Sequence, residues 1–372
     1  RVCEIPIIFF FFLKGKFSIA KITAENWETN HLIRMLSKKL HISRKRISFA
    51  GTKDKRSIST QFLSFYRLKP DKIKNIRLKD VSIEKVFASR NGLHLGDLQA
   101  NDFKIIIRDI DPGVDFNRLS SCFLPFQQVQ GFPNFFGVQR FGISRPLTHI
   151  VGRCLVDGNF EKAVMTYLTA VFEDEDSVEN QLRTKLAEAG DMKQALIEFP
   201  DHLQFEKAML NHLVKFPDDY VGALKQLPIN LLTMFVYAYQ SYLFNKILSR
   251  RIHLGLPLHQ AVEGDVVLPI RHGRILDEYV PVSSQNVDKV NKQLSKRKGY
   301  VSSILLGSES TFSQGIMGEI EHDIIKDEHI DHRNFIIPEL PAASSYGRRR
   351  ALFAPLDNLS YSMMDDSIHS GK

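Results

Sequence analysis

The stretch FAGTKDKRSISTQ, Phe49 to Gln61, places a single carboxylate, Asp54, among Lys53, Lys55 and Arg56, just after a turn of small residues. Positive neighbours favour the ionised carboxylate, which leaves it available as a nucleophile or a base at neutral pH. The same cations, with Arg44, Lys45 and Arg46 close by in sequence, suit phosphate groups. The plainer alternative is a surface loop in which Asp54 caps a helix or closes a turn. Two further stretches carry compatible chemistry. ANDF presents Asn101 and Phe103, and GFPNFFGVQRFG, Gly131 to Gly142, carries four Phe including Phe136, together with Gln139 and Arg140. Chemistry on a nucleobase needs the base drawn from its stack onto an aromatic or apolar surface while cations grip the backbone. Phe103 and the loop phenylalanines are candidates for stacking, and Asn101, Gln139 and Arg140 for reading base edges or binding phosphates.

Other chemistries lack an anchor. The sequence has no GxxxxGK[ST], GxGxxG, GxSxG or HExxH pattern, so triphosphate, dinucleotide, serine-hydrolase and zincin readings have nothing to stand on. The acid- and His-rich EIEHDIIKDEHIDH, residues 319–332, matches no metal-ligand spacing and reads as a solvated helix face. A formal net charge of +8 favours a polyanionic partner. Cys3, Cys122 and Cys154 lie far apart without a CxxC pair, as expected in a reducing cytoplasm.

The elements that must position these residues are partly legible. FSIAKIT (Phe17–Thr23) alternates like a strand, and NWETNHLIRMLSKKL sets Leu32, Ile33, Leu36 and Leu40 at helical spacing. A strand-like RISFA follows, so the Asp54 loop leaves a scaffold element, the usual place for a working side chain. The apolar run Ile5 to Leu13 is shorter than the roughly 20 residues that span a bilayer and reads as a buried strand. NDFKIIIRDI, Asn101 to Ile110, reads as a second buried strand. From about Val151 helical patterns dominate, at residues 159–172, 178–198 and 205–216. The longest, Leu231 to Ile252, shows one apolar face through Leu232, Phe235, Val236, Tyr239, Leu243, Ile247 and Leu248. It reads as a core helix, with ligand contacts by Gln240, Asn245, Arg250 and Arg251 as the alternative. VEGDVVLPIRHGRILDEYVPV reads as β-rich, and the polar tail from Ser360 as frayed.

FAGTKDKRSISTQ, LGDLQANDFKIIIRDI, PNFFGVQRFG, YQSYLFNKILSRRI and EGDVV, in that order along the chain, resemble the TruD family of tRNA pseudouridine synthases, especially its archaeal branch. The resemblance implies an α+β protein, with a pseudouridine synthase-type mixed α/β catalytic domain and an inserted, helix-rich TRUD domain. Residues 1–150 and 304–372 would form the catalytic domain and residues 151–303 the insertion. It implies an isomerase that detaches uracil from ribose, rotates it and rejoins it through carbon, acting on uridine 13 in the D-arm of tRNA. The family's catalytic aspartate falls on Asp54, as nucleophile or as base. Lys53, Lys55 and Arg56 would hold the RNA and the acid's charge state, and the family's Asn and Phe fall on Asn101 and Phe103, with Phe103 against the target uracil. The partner implied is tRNA, with no membrane, protein partner, metal or organic cofactor.

The chain departs from the family in places. Family members commonly carry a basic residue five positions before the Thr of NWET; here that position is Ala24, with Lys21 upstream as the candidate substitute. Neither a Gly-Ser-Tyr-Ala-Thr-like C-terminal strand nor more than a hint of the opening strand, in RVCEI, is found. These departures motivate the alternative of a tRNA-binding or tRNA-folding protein of the same fold with weak or lost catalysis. A protein that binds another polyanion such as DNA rests on charge alone.

Overall fold

Six strands organise the N-terminal part: β1 (Val2–Pro6), β2 (Phe17–Glu25), β3 (Ile47–Phe49), β4 (Ile58–Tyr66), β5 (Val81–Ser89) and β6 (Leu98–Phe103). They form one sheet in the order β5-β2-β4-β1-β6, with β3 paired to β4. The computed structural model describes residues 1–6, 15–108, 115–271, 274–276 and 278–363, which divide into two units, within residues 1–114 and 115–363. In the first, β4 is the central strand, antiparallel to β2 and parallel to β1. Every residue from Ser59 to Phe65 on it is buried.

The helix Thr29–Leu40 covers one face of this sheet, packing Leu32, Ile33 and Leu36 against Ala20, Ile22, Leu63 and Phe65. Each large aliphatic side chain so buried contributes about 1.5–3 kcal/mol. The helix starts where the Glu28 carboxylate accepts the N–H groups of Asn30 and His31, at 2.7 and 2.9 Å. It stops at His41 in the left-handed conformation, with Lys38 and Lys39 in the last turn where the helix dipole favours cations.

Two strand expectations change. β6 ends at Phe103, and Ile105, Ile106 and Ile107 beyond it are 76, 51 and 70% exposed. The reason is pairing: β6 is an edge strand, its ladder with β1 closes at Val2 opposite Phe103, and the Arg1 ammonium donates to Lys104 O at 2.7 Å. No described strand faces the isoleucines, and residues 109 and 110 lie outside the described part. In the apolar run, Ile5 belongs to β1 but is 42% exposed, and residues 7–13 lie outside the described part. Lys21 on β2 is ion-paired with Glu84 at 2.6 Å.

The second unit holds β7 (Gly131–Pro133), β8 (Val266–Arg271), β9 (Arg274–Ile275), β10 (Val280–Pro281), β11 (Gly299–Leu305), β12 (Arg348–Ala351) and β13 (Phe353–Pro355). One sheet runs β10-β8-β11-β12 with β9 on β8, and β13 pairs with β7. The helix Ile229–His253 passes through the core, burying the seven apolar residues of the face read from its periodicity. It lies so close to the helix Thr148–Val156 that a Cβ on Gly152 would stand 2.0 Å from Phe235 O; only glycine permits that approach. Gln240 donates to Leu306 O and Ser345 Oγ, so it serves the core. Arg251 and Asp265 are both fully buried and form a bidentate ion pair at 2.6 and 2.9 Å.

The expected helix 178–198 is two, Ser177–Ala189 and Met192–Glu198. Gly190 ends the first with φ +65°, and the Asp191 carboxylate caps the second through Gln194 N–H at 3.0 Å. The acid- and His-rich stretch forms the helix Gly315–Asp327, whose Glu321 is turned inward. Glu321 accepts from Ser303 Oγ and Ser313 N–H, both at 2.7 Å, and pairs with Arg349 at 3.3 Å. A purely solvated face is thus corrected to one that also supplies a core acid.

Candidate active site

Residues 50–57 connect β3 to β4, and the backbone of this loop is fastened along its length. Gly96 N–H donates to Ala50 O at 2.7 Å, Lys53 N–H to Thr29 Oγ1 at 2.7 Å, Ser57 Oγ to Asp54 O at 2.8 Å and Asn26 N–H to Ser57 O at 3.0 Å. Thr29 is fully buried at the first position of its helix, so the helix and the sheet together set the loop. Asp54 itself is exposed, and its carboxylate makes no hydrogen bond or ion pair with any described residue. It neither caps a helix nor closes a turn. The result is a free carboxylate on a fixed backbone, able to act as a nucleophile or as a proton acceptor.

Its neighbours divide. Lys55 and Arg56 are exposed, as a phosphate contact requires, whereas Lys53 is 7% exposed and turned inward. Its Nζ lies 3.0 Å from Asn101 Oδ1 and 3.0 Å from Glu4 Oε1. The contact with Glu4 is ionic, without the alignment of a hydrogen bond, and Glu4 Oε2 accepts Phe62 N–H at 3.0 Å. Glu4 and Asn101 are direct cross-strand partners on β1 and β6. Lys53 therefore ties the Asp54 loop to the sheet and has no exposed ammonium for RNA. Phe103 lies two residues beyond Asn101 on the same strand face, with 60% of its surface exposed and open to a planar ligand.

In the second unit the aromatic loop is held by the long helix. The Asn245 side chain accepts Phe136 N–H and donates to Phe136 O, both at 2.9 Å. The half-buried Phe136 ring meets Phe244 edge-on at 5.7 Å, with the Arg350 guanidinium 4.0 Å and that of Arg140 5.4 Å from its centroid. Arg140 Nε donates to Ser241 Oγ at 2.9 Å, and Gln139 is exposed. Asn245 thus supports the loop rather than facing a ligand. No group of three or more His, Cys, Asp or Glu that could hold a metal ion occurs among the described residues.

The sequence reading passed over Glu4, Thr29 and Arg350, and offered Asn245 as a ligand contact rather than as a support for the loop. Glu4 did carry a signal, since a lone acid inside an apolar run must find a buried partner. The other three have ordinary polar side chains whose roles depend on tertiary neighbours.

The family model for tRNA pseudouridine synthase D (TruD) matches residues 2–370. The chain belongs to the TruD family. Relatives named Probable tRNA pseudouridine synthase D include one from Methanococcoides burtonii, 39% identical across 96% of this chain and 82% of its own. Another, from Thermoplasma acidophilum, is 37% identical across 96% of this chain and 85% of its own. The crystal structure of a Methanosarcina mazei protein assigned to TruD superposes with a TM-score of 0.81 at 40% identity, covering 94% of this chain and 81% of that one. As a TruD member the protein is an isomerase of mixed α+β fold whose family acts on tRNA. No described helix is long and apolar enough to cross a membrane.

Proposed function

We propose that the protein converts uridine 13 in the D-arm of tRNA to pseudouridine, with Asp54 as the reacting carboxylate. The observation that carries this is the free, exposed Asp54 side chain on a loop pinned to both helix and sheet. In the reaction the N1–C1′ bond breaks, uracil turns, C5 joins C1′, and the proton lost from C5 is matched by one gained at N1. Atoms and charge balance, so no oxidant or cofactor enters. Asp54 would attack C1′ or remove a ribose proton; either role uses a carboxylate carried on a fastened backbone. Phe103 would stack on the displaced uracil, Lys55 and Arg56 would hold phosphates, and Gln139 and Arg140 would contact RNA. Lys53 and Asn101 would position the loop. The domain division proposed is a catalytic domain from residues 1–150 and 304–372 around an insertion at 151–303, working in the cytoplasm.

Pseudouridine mapping on tRNA transcripts tests the reading. The wild-type protein converts one D-arm uridine; Asp54→Asn binds the same tRNA and converts none. Normal turnover by Asp54→Asn would remove Asp54 from the mechanism.

A further inference from the structure

Two arginines gather over one ring, and a third lies close enough to repel both. Arg350 and Arg140 both stand over Phe136, and Arg348 begins the same strand that carries Arg350. None of the three is ion-paired with a carboxylate among the described residues, although buried arginines elsewhere in the unit are paired, as in Arg183 with Glu175 and Glu206. The Arg350 Nε is buried and has no hydrogen-bond acceptor. Burial, then repulsion by Arg140 and Arg348, pushes the Arg350 guanidinium down to about 10, and burial with Arg348 lowers that of Arg140. Guanidinium groups keep their charge at neutral pH, so the cluster carries a positive field that no described carboxylate offsets. Its parts are held in place by Asn245 on the Phe136 backbone, Ser241 on Arg140, and Asn134 Oδ1, which accepts from Arg350 at 2.7 Å.

We propose that Arg140, Arg348 and Arg350, on the floor made by Phe136, form an anion site for a phosphodiester of the RNA backbone. Guanidinium groups match phosphate oxygens in forked geometry. Beside Arg140 runs an open groove of about 710 Å³ bordered by Val138, Ile143 and Met234. Val138 and Ile143 are 74 and 66% exposed, an apolar wall that fits the base following a bound phosphate. An acidic peptide would satisfy the charge but has no planar group for that wall. The proposal rests on RNA being the substrate and is independent of the role of Asp54.

The test measures binding of fluorescent hexaadenylate, which contains no uridine, to the full chain and to Arg348→Ala, Arg140→Ala, Arg350→Lys and Asp54→Asn. Arg348 is exposed, so its replacement leaves the fold intact and keeps the test informative if Arg350→Lys unfolds. Arg348→Ala is expected to bind about tenfold more weakly, the loss of one charge-assisted hydrogen bond, with the salt slope shallower by about 0.7. Inorganic phosphate should raise the melting temperature of the wild type more than that of Arg348→Ala. Unchanged hexaadenylate affinity in both alanine variants overturns the site, and competition by hexaglutamate as strong as by hexaadenylate overturns its assignment to a phosphodiester. If Asp54→Asn turns over tRNA normally while Arg348→Ala loses hexaadenylate, the catalytic assignment fails and the anion site stands.

Discussion

Asp54 and Lys53 are adjacent in the chain and opposite in fate, one bare to solvent and the other enclosed with Glu4 and Asn101. Removing one partner of a buried ion pair strands the other charge, a loss of about 3–5 kcal/mol. Glu4→Gln should therefore lower the unfolding free energy by about that much, and Glu4→Gln combined with Lys53→Met, which keeps an acceptor for Phe62 N–H, should recover part of it; chemical denaturation of the single and double variants measures both. An additive double variant would mean that the pair does not act as one unit. Phe103→Ala should reduce turnover more than tRNA affinity, because a stack worth about 1–3 kcal/mol acts at one base while phosphate contacts are spread along the chain. Equal losses in single-turnover rate and in binding would speak against stacking. The candidates Asp54, Asn101 and Phe103 were legible because an acid in a basic loop and an Asn/Phe pair stand out by type. The inward turn of Lys53 was not, since sequence gives its charge but not the direction of its side chain.

At the scale of elements, the Thr29 hydroxyl links a helix start to the loop. Thr29→Val keeps the shape but leaves the Lys53 N–H without its acceptor, which costs about 1–3 kcal/mol. The expected outcome is a lower kcat with little change in tRNA affinity, and steady-state kinetics beside a binding titration will show it; a fall in affinity alone would detach Thr29 from the chemistry. Periodicity made the helices Thr29–Leu40 and Ile229–His253 readable, because each commits one apolar face to a core. It failed for β4, whose sequence ISTQFLSFY mixes polar and apolar residues although Ser59, Thr60, Gln61 and Ser64 are all buried. A central strand flanked on both sides hides polar side chains, some of which find partners across the sheet, as Ser64 does with Ser48 at 2.7 Å and Thr60 with Thr23 at 2.8 Å. The split at Gly190 was equally hidden, because apolar spacing continues across a break that only the left-handed glycine reveals.

For the molecule as a whole, the charge balance of +8 gave the class of partner and nothing about its address. That address depends on which cations are free: Lys55 and Arg56 are exposed, while Lys53, Arg183 and Arg251 are consumed inside. Lys55→Ala should flatten the dependence of tRNA binding on salt by about 0.7–0.9 in log–log slope, whereas Arg251→Met should leave the slope alone and reduce thermal stability. If both variants altered the slope alike, formal charge rather than exposure would govern binding.

The bare isoleucines after β6 have a consequence for handling the protein. A sheet edge that runs on into Lys104-Ile105-Ile106-Ile107 offers another copy an exposed apolar segment next to an edge strand. At high concentration this chain should self-associate edge to edge, and Lys in place of Ile106 should keep it dispersed without touching the loop that holds Asp54.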